Sequence, residues 1–187
     1  NHGGWLHNHF GYKVTDDNMD DFIDFLDLNN DAVTRANAGI APREYSAPIG
    51  SQPLWSYDWL KKNGVIAYYT VSNVGMAPTR LWMGRRRISD AWAFPVMTYG
   101  QIASAEEASF KKMPLAEFDE WLQKLARFIE QQRVMRLSYF HPVGAVLYLP
   151  AVNHYIDAFQ ACVDRNRCKF MSMSESADFL TLRGQTT

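Results

Sequence analysis

One-signed charge is missing from this chain. Its 19 basic residues face 20 acidic ones, for a formal net charge of -1. That balance gives no footprint for nucleic acid or an anionic membrane surface. The longest basic run, Arg85-Arg86-Arg87, reads as a solvated loop, with a phosphate or acidic-sugar contact as the second reading. Long apolar runs are also missing, so no segment approaches the roughly 20 residues of a membrane-spanning helix. No signal peptide is visible at the start. Cysteine is scarce: Cys162 and Cys168, in "CVDRNRC", are too few for a disulfide scaffold or a four-ligand zinc knuckle. The expectation is two free thiols, with Cys162 on the apolar face of a helix; a local disulfide would require an oxidising compartment. Internal repeats, low-complexity segments and interdomain linkers are absent too.

What is present is enough for a core. The 187 residues are 47% hydrophobic and 14% aromatic, which suits one domain spanning residues 1–187. Met19, Phe22, Ile23, Leu26 and Val33 recur at helical spacing, behind the candidate caps Thr15, Asp16 and Asn18 and ahead of Gly39 and Pro42. "REYSAPIGSQP" reads as a short strand running into a loop, "LWSYDWLKKNG" as a helix closed by Gly64, and "VIAYYTVSN" as a strand. "VGMAPTRLWMGRRRISD" reads as loop and "AWAFPVMTYG" as a further strand and its exit. "MPLAEFDEWLQKLARFIEQQ" is the clearest helix, with Leu115, Phe118, Leu122, Leu125 and Ile129 on one face. "RVMRLSYFHPVG" reads as a strand, "NHYIDAFQACVDRN" as a helix, "CKFMSM" as a last short strand and "SESADFLTLR" as a closing helix. Such alternation, with strands apolar on both faces, predicts an α/β fold with a parallel sheet, either a barrel or doubly wound.

In such a fold the site forms at the C-terminal ends of strands. The polar residues at predicted exits are His2 and His7, Ser46, Ser72 and Asn73, Thr98 and Tyr99, and His141. Two imidazoles on one tight segment and a third far along the chain could hold a divalent metal, or divide into two ligands and one acid or base. That is the logic of metal-assisted amide or ester hydrolysis. A histidine cluster at a chain end is also a common tag or exposed loop. Trp5, Tyr45, Trp82, Trp92 and Tyr99 lie near strand exits, where they serve equally as packing or as platforms for a sugar ring. Trp59 reads as core, Trp121 as partly buried, and His154 as a surface residue opening a helix.

The order "NHGGWLH", "PREYSAPIG", "LSYFHPVG" resembles the polysaccharide deacetylase family of NodB-like carbohydrate esterases. The resemblance spans essentially the whole chain. It implies a distorted (β/α)7 barrel, a divalent metal (zinc foremost, with cobalt, nickel or manganese as alternatives) and an acetylated glycan or amino sugar as substrate. Within it, His2 and His7 match the metal ligands with one residue more than the family's spacing between them, and His9 is an alternative to either. "YSAPIG" matches the segment that follows one helix later, with Pro48 and Gly50 in register; Tyr45, Ser46, Pro48, Trp82 and Trp92 are the implied substrate contacts. The family's arginine at this motif aligns with Ser46, and Arg43 stands three residues earlier. His141 matches the catalytic acid that protonates the leaving amine. The family's aspartate-tryptophan motif has no clear counterpart, Asp90 with Trp92 being a poor one. Its paired aspartates, base and third metal ligand, are expected on a strand upstream of Asn1, and Asp16 and Asp17 read better as a helix cap. The resemblance implies a bacterial-type enzyme of the cell envelope, periplasm or cytoplasm, with the oligomeric state left open. Two alternatives remain: a NodB-like domain that binds carbohydrate or supports a partner without catalysis, and a related hydrolase of a small non-sugar amide.

Overall fold

The computed structural model describes residues 16–47, 52–97 and 105–184. The chain divides into two compact units: residues 1–71, 78–94 and 172–187, and residues 72–77 with 95–171.

The first unit starts with a 3-10 turn, Asp16–Asn18, leading into α1 (Met19–Ala36). Phe22, Leu26 and Asn30, four apart, form the buried stripe of α1, as its helical spacing predicts. Asp20 and Asp21 sit in its first turn, where the helix dipole favours negative charge. Gly39, at φ +83°, ends it, and the Gly39 N–H donates to the Thr34 carbonyl at 2.8 Å. Strand β1 (Glu44–Ser46) follows, then α2 (Ser56–Lys62) and β2 (Ala67–Thr70). β1 and β2 are parallel, with Tyr45 opposite Tyr68 and Ser46 opposite Tyr69. β3 (Thr79–Met83) and β4 (Arg86–Pro95) form an antiparallel hairpin with Trp82 opposite Arg87 and Met83 opposite Arg86. Gly84 and Arg85 make the turn, with Gly84 at φ +59°. The strand order is β1-β2-β4-β3. Phe22, Leu26, Tyr45, Trp59, Leu60 and Tyr68 fill the core. The Trp59 Nε1–H donates to Asp27 Oδ1 at 2.7 Å, so the polar end of this large buried ring is satisfied. A C-terminal helix, numbered α7 below (Met173–Gly184), belongs to the same unit.

The described part of the second unit is helical: α3 (Ala105–Phe110), α4 (Leu115–Gln132), α5 (Pro142–Leu147) and α6 (Leu149–Asp164). α4 packs along α6 through Phe118, Leu122 and Leu125 against Ala151, Val152 and Tyr155. Among its described residues, Val96 and Leu137 form one isolated parallel bridge.

Four expectations are overturned. The sheet is open, four-stranded and mixed, with seven α-helices among the described residues, and is not a (β/α)7 barrel or a parallel array. The segment 74–90, read as loop, holds β3 and the first half of β4; its charges face solvent while Ala91 and Ala93 carry the buried face. "RVMRLSYFHPVG" and "CKFMSM" form no ladder: only Leu137 bridges, and Pro142 starts a helix at a first-turn position where a missing N–H costs nothing. Cys162 and Cys168 are not free thiols but a disulfide, their Cα atoms 5.3 Å apart, because the turn after α6 brings them together.

Candidate functional site

The C-terminal ends of β1 and β2 lie side by side in the parallel pair, and there Tyr45 and Ser46 are found. Tyr45 is only 1% exposed and packs at 6.0 Å from the Trp59 ring. Its hydroxyl has no hydrogen-bond partner among the described residues, and burial pushes the phenol pKa far up. Ser46 is half-buried at the strand exit. The matching Pro48 and Gly50 fall outside the described residues.

Arg43, the nearest arginine to the Ser46 position, is engaged elsewhere. Its guanidinium donates to both Asp178 oxygens, at 2.8 and 3.0 Å, and clamps α7 to the start of β1. These bonds raise the arginine pKa and hold the Asp178 carboxyl below the usual range. The Ser174 N–H adds a second tie, donating to Glu44 Oε1 at 2.7 Å.

Trp92 is a fixed part of the same unit. Its Nε1–H donates to Thr181 Oγ1 at 3.0 Å, and the Arg80 guanidinium lies 4.7 Å over its ring. Arg80 also donates to Thr181 Oγ1 at 3.2 Å and to the Asp90 carbonyl. Trp82, on the edge strand β3, is 55% exposed. Asp90 pairs with Arg87 at 2.7 Å.

A groove of about 370 Å3 opens in this unit. α2 contributes Tyr57, Asp58 and Lys61, and the first half of β4 contributes Arg86, Arg87 and Asp90. Two of the three arginines, Arg86 and Arg87, therefore line a groove wall, while Arg85 stays in the turn.

His141 belongs to the second unit. It sits in extended conformation at the N-cap of α5, half-buried, with its ring edge-on to Tyr139 at 5.0 Å. A helix start thus presents it, not the strand end that the sequence suggested. Nearby, Ser138 and Tyr155 share a hydroxyl–hydroxyl bond of 2.8 Å. His154 lies inside α6, where Nδ1 pairs with Asp119 at 2.9 Å on the surface.

His2, His7 and His9, with Trp5, Thr98 and Tyr99, lie outside the described residues. Among the described residues no three histidine, cysteine or carboxylate side chains group as metal ligands. Asp16 and Asp17 are exposed in the turn that leads into α1. No helix among the described residues is long and apolar enough to cross a membrane. Comparison with protein-family models, with curated proteins and with solved structures finds no match to this chain.

Proposed function

We propose that this chain is a metal-dependent hydrolase that removes N-acetyl groups from an amino sugar or glycan. The order of three motifs along the chain carries the reading: a histidine pair, then Tyr45-Ser46-Ala47-Pro48, then His141-Pro142. The open mixed sheet removes the barrel from this argument, and the reading rests on the motifs. Two placements support it. Tyr45 and Ser46 stand at the exits of parallel strands, where open α/β sheets place their ligands. His141 is half-buried at a helix start, with its ring edge-on to Tyr139.

His2 and His7 would hold the metal, with His9 as the alternative to either; their imidazoles suit zinc, and equally cobalt, nickel or manganese. Bound there, the metal would supply Lewis-acid polarisation of the acyl carbonyl and an acidified water. His141 would donate the proton that the departing amine needs. Ser46, Pro48, Trp82 and Trp92 are the proposed substrate contacts, with Trp82 offering the most open ring, and Tyr45 supports them from within the core. The Cys162–Cys168 disulfide favours an oxidising compartment, which suits an envelope enzyme.

A second reading has a specific observation behind it. The position of the family's arginine holds Ser46, and Arg43 is bound to Asp178, so a domain that binds carbohydrate without catalysis is the alternative. The deciding measurement combines metal content with acetate release from an acetylated hexosamine oligomer. The deacetylase reading expects a bound divalent metal that is lost on His2→Ala or His7→Ala. It also expects acetate release that falls by about 10²–10⁴-fold on His141→Ala. A chain that binds no metal and releases no acetate leaves the non-catalytic reading in its place.

A further inference from the structure

The groove between α2 and β4 carries positive charge in a chain that is otherwise balanced. Residues 76–97 contain four arginines and a single aspartate. Within the groove, the charge of Arg87 is met by Asp90 at 2.7 Å, leaving Lys61 and Arg86 with Asp58 as the one remaining carboxylate on its wall. Lys61 and Arg86 are both exposed, and Arg85 in the adjoining turn adds to the field. Arg80, one strand over, has its pKa lowered by burial and by the charge of Arg87, which reflects the same crowding of cations. Trp82 stands directly opposite Arg87 in the hairpin register, so the exposed indole and that guanidinium project from one face, while Arg86, opposite Met83, projects from the other. Two cations against one carboxylate, with a ring wall from Tyr57, make a surface that takes an oxygen-rich anion beside a sugar ring.

We propose that this groove binds the anionic group, carboxylate or phosphate, of a charged saccharide, with Lys61 and Arg86 as its ion-pairing side chains and Tyr57 as the ring on its wall. The proposal rests on the carbohydrate reading above and names the charge that such a glycan carries. It is tested by calorimetric titration of the intact chain with trigalacturonate, with glucosamine 6-phosphate and with neutral triacetylchitotriose. A charged probe is expected to bind more tightly than the neutral one, and to weaken as salt is raised. Preference for trigalacturonate assigns a carboxylate and preference for the phosphosugar assigns a phosphate. The Lys61→Gln/Arg86→Gln double variant should weaken that binding by about tenfold or more, Asp58→Asn should strengthen it, and Lys169→Gln should leave it unchanged. Charged probes that bind no better than the neutral one overturn the proposal, as does a folded double variant that binds like the parent. Acetate release is read separately: a chain without turnover that still shows this charge-selective binding loses the deacetylase reading and keeps the groove.

Discussion

Tyr45 brings a hydroxyl into the core of the first unit, where no described residue meets it. An unsatisfied buried hydroxyl costs about 1–3 kcal/mol, while the ring around it still contributes its apolar burial. The Tyr45→Phe variant should therefore be more stable than the parent by about 1 kcal/mol in urea unfolding. A clear loss of stability would mean that the hydroxyl reaches a partner and belongs to the site in its own right. The sequence marked Tyr45 as a strand-exit aromatic divided between packing and sugar contact, and its near-complete burial puts it on the packing side. Trp59 was legible as core, but its bond to Asp27 was not, because the two residues meet only when α1 and α2 pack. Arg43 was equally opaque: its partner Asp178 lies 135 residues away in sequence, and no local pattern announces that pairing.

At the scale of elements, periodicity found what periodicity governs. α1 and α4 were readable because their apolar stripes repeat over many turns and their ends carry Gly39 and Pro114. Strand β2 was readable from its β-branched and aromatic run, and β1 from its place ahead of a Pro/Gly loop. The second half of β4 was read as a strand, but β3 and the start of β4 were hidden because three arginines outweigh their short apolar content, and their pairing is a property of the sheet rather than of the segment. His141 was placed on a strand end by the apolar run before it, whereas Pro142 had already set a helix start. The disulfide was missed because spacing alone does not tell two thiols from one bond. It closes a short loop after α6, beside the paired contacts of Arg165 and Arg167 with Glu130, both at 3.2 Å. Closing a loop of that length restricts the unfolded chain by about 2 kcal/mol. The Cys162→Ala/Cys168→Ala variant should lose about that much stability, and dithiothreitol should lower the melting temperature of the parent while leaving the variant unmoved. Two thiols reactive in the unfolded, unreduced parent would count against the bond.

The molecule as a whole joins a sheet-centred unit to a helical one, and each buries tyrosine hydroxyls in its own core. The motifs of a candidate site could be read along the chain. Their division between two units could not, because residues 72–77 and 95–171 leave and re-enter the first unit without a linker signature. This shared tyrosine content sets the response to alkali. In the second unit burial pushes Tyr155 up to about 12, with its Ser138 bond lowering it in part. In the first unit burial raises Tyr45, Tyr57 and Tyr68, the last two also coupled to each other. Tyrosine in the unfolded chain titrates near 10, so between about pH 10 and 12 the unfolded state has released protons that the folded state retains. A folded-state pKa above the unfolded one gives stability that is complete below the unfolded value and is lost as pH rises through the folded value. For Tyr155 alone the two-unit gap corresponds to about 2–3 kcal/mol. The free energy of unfolding should hence hold level up to about pH 10 and fall steeply above it, with the buried phenols ionising only as structure is lost. Circular dichroism followed alongside tyrosinate absorbance reads both events. Coincident transitions above pH 10 are expected, and full tyrosinate formation near pH 10 with the fold intact would show that these rings are open to solvent.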